Sequence, residues 1–238
     1  MNYASEQLFM QILNCFISLI AFIIPALLIL LPVRFLTKVP SFVFRKLLHI
    51  VGFTCVSIML LNAKSWLAPV ICYILIAVLL YPVLAFLEHA PWFEKLFVQK
   101  TPGEIKRSLL LLFFMCAALV TVSWGIFGQP HLASSAILMW GTGDAAAALV
   151  GIPYGRHKVR TRFTDGKKSW EGSFAMLLVS FLSGVTILLL AQRMAFPRVV
   201  FAAAIAALLG TVTELISPSE YDTITVPVVI LTVLLLLV

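Results

Sequence analysis

Residues 141–172 read GTGDAAAALVGIPYGRHKVRTRFTDGKKSWEG. The stretch opens inside an apolar run with one lone acid, Asp144. It leaves that run and delivers Arg156, Lys158, Arg160, Arg162, Lys167 and Lys168 before Ser169 and Glu171 lead into the next apolar run. Two apolar segments joined by a dense cationic loop are the pattern of two membrane spans and the loop between them. A carboxylate in a hydrocarbon setting is costly and marks a functional position. Cations beside it suit a polyanionic ligand, held by charge and by a metal ion.

The whole chain extends that reading. Of 238 residues, 62% are hydrophobic and only 11% are charged, too few charges to clothe a soluble protein of this length. The expected fold is all-α: a polytopic transmembrane bundle of about eight spans, forming a single integral membrane domain over 1–238, with 153–172 as its cationic site loop. Apolar runs are Leu8–Val33, Leu47–Leu61, Trp66–Leu87, Ser108–Phe127, Leu132–Ile152, Ser173–Ala191, Val199–Ile216 and Ile224–Val238. The second is short, and the last is marginal at roughly 22 Å; with either one re-entrant, seven spans result. The leader before the first carries Glu6 and no Lys or Arg, and no small-residue cleavage site follows, so the run reads as a span and not as a cleaved signal. Cys15, Cys55, Cys72 and Cys116 lie inside apolar runs without metal-ligand spacing, as small buried hydrophobes do.

In a membrane protein the net charge of +7 says more about topology than about nucleic acid, and no nucleic-acid partner is expected. With the N-terminus outside, fourteen of the 17 basic residues fall in cytoplasmic loops, and only Lys64, Arg193 and Arg198 fall outside. That orientation, suited to a plasma (inner) membrane, gathers His49, the cationic loop, Glu214 and the Glu220–Asp222 turn on the cytoplasmic face. Asp144 sits eight residues before Ile152, roughly 12 Å deep. The residues carry no signal for oligomeric state.

Two apparent motifs fail on context. Residues 141–146 match GxGxxA, but no strand precedes them and no βαβ unit surrounds them. Their glycines are expected to let the helix unwind or to let backbone approach a ligand. Gly166 to Ser169 resembles the end of a P-loop, yet the position of its first glycine holds Thr161. The remaining polar residues each carry two readings. Asp144 is a magnesium ligand, or a structural acid paired with an arginine inside the bundle. Glu214 and Asp222 are the further carboxylates for a metal that takes one or two of them plus phosphate oxygens and waters; otherwise Glu214 is a helix-end acid and Asp222 an N-cap. Lys167, Lys168, Ser169 and Glu171 abut a helix start, a natural phosphate cradle, with Arg156 and Lys158 reaching further phosphates; otherwise the cations only set topology. His49, with Arg45 and Lys46, lines one helix face, or is an interfacial histidine without a role.

In order along the chain stand Gly143-Asp144, Gly151, Gly155, Lys167-Lys-Ser-Trp-Glu-Gly172, Glu214 and Asp222-Thr-Ile-Thr-Val-Pro227. This series resembles the CTP-dependent lipid kinases (phytol, dolichol and diacylglycerol kinases), which are related to the phosphatidate cytidylyltransferases. Arg45-Lys-Leu-Leu-His49 looks like the RKxxH element of the kinase branch. The resemblance runs from about Arg45 to Pro227.

It implies a multi-helix membrane enzyme using CTP and Mg2+ to phosphorylate a lipid alcohol: a polyprenol, phytol or diacylglycerol. On that reading Asp144 and Glu214 bind the metal, and Asp222 is a further metal ligand or the base for the lipid hydroxyl. Arg156, Lys158, Lys167 and Lys168 neutralise the nucleotide's phosphates, Ser169 and Glu171 fix the loop, and Arg45, Lys46 and His49 line the substrate side. Asp144, Asp222 and Lys168 are the expected catalytic set. Where the kinases often have Asp-Asp-Asn, this chain has Tyr221, Asp222 and Thr223, one carboxylate fewer. The Lys-Lys-Ser-Trp-Glu-Gly stretch is close to the cytidylyltransferase form, so a phosphatidate cytidylyltransferase making CDP-diacylglycerol is the alternative. That branch's long C-terminal signature is absent. An anion transporter without nucleotide chemistry is a second alternative; no convincing second copy of residues 141–172 supports the internal repeat common in such proteins.

Overall fold

The computed structural model describes residues 3–37, 39–90, 93, 103–159, 166, 168–191, 195–218 and 221–238. Among these the regular structure is helical, with one isolated antiparallel bridge. We number the helices α1 (Tyr3–Leu36), α2 (Ser41–Asn62), α3 (Leu67–Leu87), α4 (Glu104–Val120), α5 (Pro130–Tyr154), α6 (Trp170–Leu190), α7 (Phe196–Ile216) and α8 (Asp222–Leu237). A π-helical turn, Thr121–Ile126, prolongs α4. Seven of these helices are long and apolar enough to cross a membrane. The eighth, α8, has 16 residues and a length of ~24 Å. The expected polytopic helical bundle is the fold observed.

The element boundaries correct the apolar runs in a consistent way. Helix α2 begins at Ser41, directly after Pro40, and not at Leu47. Arg45 and Lys46, which precede the apolar run Leu47–Leu61, are therefore helical residues, and the second span is 22 residues long. Helix α5 continues through Pro153 to Tyr154, and α6 starts at Trp170, so the cationic loop runs from 155 to 169. Apolar runs end where charges begin; helices here carry charges in their end turns because other helices receive them.

The bundle is organised around α5. It packs against α2, α4, α6 and α8, and its middle residues from Leu132 to Thr142 are nearly all buried. Helix α1 lies at the edge, against α2 and α3, with Cys15 and Leu19 its buried residues among those described. Lipid tails are as apolar as leucine, so close packing and interhelical hydrogen bonds hold such helices together. Small residues make that approach possible. Gly141 leaves room for the Phe53 ring of α2, which meets Trp140 edge-on at 4.7 Å. On α7, Ala202, Ala203, Ala206 and Ala207 are all fully buried. Polar pairs add to the fit: Ser134 Oγ donates to Ser57 O at 3.2 Å, and Ser180 Oγ donates to Met139 O at 2.8 Å. The glycines of 141–143 thus serve helix packing; α5 is continuous through them and does not unwind. The four cysteines are buried thiols outside any disulfide.

Candidate functional site

Six of the polar residues singled out from sequence, Lys46, His49, Asp144, Lys168, Glu214 and Asp222, form two clusters at one end of this bundle. From α5, Asp144 presents its carboxylate to α2. Lys46 Nζ donates to Asp144 Oδ2 at 2.6 Å, and His49 Nε2 lies 3.5 Å from the same oxygen. Lys46 and His49 are three residues apart, so they share a face of α2. His49 is steadied by the Phe53 ring below it, centroid to centroid 4.6 Å. The same Phe53 fills the space left by Gly141. The first glycine of the fingerprint-like stretch therefore bears on how His49 meets the acid three residues further on.

A second cluster adjoins the first. Lys168, at the end of the loop, places Nζ 3.0 Å from Glu214 Oε1 and 3.9 Å from Asp222 Oδ2. It also donates to the backbone carbonyls of Glu214 and, at 3.0 Å, Ser217. Those carbonyls end α7, so the ammonium acts as a C-terminal cap where the helix dipole favours a cation. The side chains of Lys168 and Glu214 are only 11% and 10% exposed, which makes this a largely dry ion pair. The two clusters are electrostatic neighbours: the charge of Lys168 reaches Asp144, and that of Asp144 reaches Glu214 and Asp222. Asp222 opens α8 as its first residue, and the helix has no side-chain cap. Its carboxylate turns to Lys168 instead of serving as the N-cap.

The loop is tied down at both ends. Val159 N donates to Lys168 O at 2.9 Å and Trp170 N to His157 O at 3.1 Å, forming the Lys158–Ser169 bridge. Ser169 Oγ accepts from Gly172 N at 3.2 Å and caps α6. Glu171 accepts from the backbone N–H of Arg156 at 3.2 Å and of His157 at 3.1 Å, and pairs with His157 Nδ1 at 2.7 Å. Lys158 Nζ donates to Gly151 O at 3.3 Å. Gly172 is required by close approach: a Cβ there would sit 2.8 Å from Ala147 O and 3.2 Å from Gly151 Cα. Ser169 and Glu171 thus hold the two ends of the loop to the start of α6. Lys167, expected to bind phosphate, lies outside the described residues, as do Arg160, Arg162 and Glu220.

One expected grouping divides. Arg45 turns away from Lys46 and pairs with Glu104 at the start of α4, 3.3 Å apart. Sequence reading did not single out Glu104, nor the direct Lys46–Asp144 bond, which joins residues 98 positions apart. The structural alternative for Asp144 named an arginine partner; the partner is a lysine of α2. Ser217 was missed too, though a serine just past a helix end is a plain signal for a polar junction. It takes Lys168 on its carbonyl and Thr225 on its hydroxyl, 2.9 Å away.

Among the described residues no three acids, histidines or cysteines form a preformed metal cage. The donors present are hard carboxylate oxygens. Two lysines against three carboxylates leave one formal negative charge uncompensated. Hard carboxylate oxygens are the protein ligands that magnesium takes, one or two at a time, beside phosphate oxygens and waters.

No family model matches the chain, and no solved structure matches it. Over 118 residues it is 35% identical to the phytol kinase of Synechocystis sp., the match covering 49% of this chain and 49% of that one. The chain thus spans about half the length of the curated relative it matches. The motif resemblance and this comparison point to the same group, and what this protein is similar to is a lipid kinase of the phytol-kinase type.

Proposed function

We propose that the protein is a CTP-dependent kinase that phosphorylates a membrane lipid alcohol with magnesium at the α2–α5–α7–α8 end of the bundle. One observation carries the reading. Three carboxylates and two lysines, drawn from four helices and one loop, converge at one bundle end where buried charge is costly. Phosphoryl transfer needs little covalent help from protein; positioning and charge neutralisation do most of it.

The roles follow from the chemistry of each group. Asp144, Glu214 and Asp222 supply the oxygens that would hold Mg2+, which when bound neutralises charge on the triphosphate. Lys46 and Lys168 are the cations nearest those acids and would pair with phosphate oxygens. The loop anchored by Ser169 and Glu171 would bring Arg156 and Lys158 toward the same ligand. The lipid hydroxyl oxygen forms a bond to the γ-phosphorus while the bond from that phosphorus to the bridging oxygen breaks. Its electron pair leaves on CDP, and the hydroxyl proton passes to the Asp222 carboxylate. The products are a lipid monophosphate and CDP.

The deciding experiment uses purified protein, CTP labelled at the γ-phosphate, and a panel of lipid alcohols and phosphatidate. Label in a lipid monophosphate supports the kinase. Label in pyrophosphate with a CDP-lipid product means a cytidylyltransferase. Anion uptake into proteoliposomes without turnover means a transporter. The further expectation is that the site faces the cytoplasm, read by accessibility of a cysteine placed at Lys158.

A further inference from the structure

Helix α2 meets α5 along a seam whose contacts run in opposite directions along the two helices. At the charged end Lys46 and His49 face Asp144. Deeper, the Phe53 ring lies against Gly141 and meets Trp140 edge-on. Deeper still, Ser57 and Ser134 each donate to the other's backbone carbonyl. Sequence number rises on α2 as it falls on α5, so the helices are antiparallel. A slip of one residue would move every one of these pairs by ~1.5 Å.

Phe53 fixes that register. A Cβ on Gly141 would run into Phe53 Cγ, so the ring takes the place of a side chain on α5. It is 2% exposed and also packs on the His49 ring, with centroids 4.6 Å apart and planes tilted by 57°. His49 and Phe53 are four residues apart on α2, and Gly141 and Asp144 three apart on α5, so each pair shares a face. Phe53 thus touches the imidazole on one helix and the turn that carries the acid on the other. Both partners of Asp144 approach the same oxygen: Lys46 Nζ lies 2.6 Å from Oδ2 and His49 Nε2 3.5 Å from it. Oδ1 meets no donor among the described residues. The two partners differ in freedom. Lys46 swings on a flexible four-carbon stem, whereas the His49 ring is short and packed against Phe53.

We propose that His49 is a positioning residue for Asp144, held in place by Phe53 in the notch at Gly141, and not a lining residue for the lipid substrate. With its proton on Nε2 the imidazole donates toward Oδ2 and leaves Oδ1 for a divalent cation. When a phosphate draws the Lys46 ammonium away, the ring keeps the carboxylate from following it. Partners that orient a metal-binding group in this way count for about 10–100-fold in metal affinity. The inference rests on the proposed kinase reading in taking Asp144 as a ligand to the metal; the contacts of Phe53 with His49 and Gly141 stand without it.

The test reads metal binding without nucleotide. The full chain in phosphatidylcholine nanodiscs is titrated with Mn2+, a carboxylate-seeking stand-in for Mg2+, and the free ion is followed by electron paramagnetic resonance. His49→Ala should raise the Mn2+ dissociation constant about tenfold, the low end of the range for such partners. Phe53→Leu keeps an apolar side chain against α5 but loses the ring, and should raise the constant too. Because Phe53 acts through His49, the double variant should bind Mn2+ no more weakly than His49→Ala alone. A full additional loss in the double variant, unchanged binding in either single variant, or a parent chain that takes no Mn2+ overturns the proposal. So does a raised KM for the lipid alcohol in His49→Ala beside an unchanged Mn2+ constant, which returns the histidine to the substrate. His49 has a side chain 34% exposed, so His49→Ala decides the case even where Phe53→Leu lowers the yield of folded protein. The expected Mn2+ pattern in a protein that transfers no phosphate keeps the positioning role and sinks the kinase reading; phosphate transfer with unaltered Mn2+ binding in His49→Ala does the reverse.

Discussion

Lys46→Met removes the ammonium 2.6 Å from Asp144 and keeps most of the aliphatic stem. The two side chains are 17% and 28% exposed, so the carboxylate loses a charge-assisted bond in partly dry surroundings. Such bonds are worth ~1.5–3 kcal/mol, and removing one partner of a fully buried pair costs ~3–5 kcal/mol. His49 remains at 3.5 Å and water has some access, so the lower range applies, about 2 kcal/mol. For a chain of this size that lowers Tm by ~4–8 °C. Asp144→Asn leaves the lysine without its acid and costs about 1–2 kcal/mol. The double variant Lys46→Met/Asp144→Asn leaves no orphaned charge, so its loss should fall short of the sum by ~1–2 kcal/mol. Activity should not recover with stability: on the kinase reading the double variant stays inactive, because both a phosphate partner and a metal ligand are gone. Thermal unfolding of detergent-solubilised protein, followed by fluorescence of its five tryptophans, is read beside product formation. Strict additivity of the two Tm losses would refute the pairing, and a stable, active double variant would refute the catalytic role.

Asp144→Asn alone should insert normally and lose turnover, measured as product formed per unit of correctly inserted protein; an active variant removes Asp144 from the mechanism. Gly172→Ala drives a methyl to within 2.8 Å of the Ala147 carbonyl, which backbone cannot relieve, so expression and Tm should fall by the ~1–3 kcal/mol typical of overpacking. Glu171→Gln removes the negative charge that receives the N–H groups of Arg156 and His157; the KM for nucleotide should rise while Tm barely moves, and an unchanged KM would separate the loop from the nucleotide. Chelation of divalent cations should stop transfer, and added Mg2+ should restore it.

The bundle was legible because its signal is additive over long windows. Each span needs only about 20 apolar residues, and single errors do not matter. Helix ends were misplaced wherever charge was taken to mean loop. Arg45 and Lys46 look like linker residues by composition, yet they occupy the end turns of α2 because Glu104 and Asp144 arrive from α4 and α5 to pair with them. No local rule carries that information; it belongs to partners 59 and 98 residues away. Asp144, Glu214 and Lys168 stood out because an ionised group in an apolar setting is conspicuous. Glu104 did not, since an acid in the first turn of a helix is ordinary there. The glycines at 141 and 143 misled for a related reason: a glycine says that something comes close, and only the fold says whether it is a ligand or, as here, Phe53 and Ser180.

The lysines also explain why the site is built from opposite charges. Three carboxylates gathered at a bundle end would repel one another, and each would be costly to keep without a counter-charge. Lys46 and Lys168 meet that cost when no ligand is bound, and Lys168 further closes the carbonyl end of α7. On the kinase reading, a metal-chelated triphosphate brings both signs at once: a cation for the carboxylates and anionic oxygens for the lysines. Exchange of one set of partners for the other keeps the charge balanced, so ligand entry does not require stripping a buried acid bare. On the same reading, the excess of one formal negative charge favours a cation in the cluster, and the two lysines within it offer an anion its partners. A cluster of lysines alone would bind phosphate but could not hold the metal. A cluster of acids alone would bind metal but would repel a nucleotide.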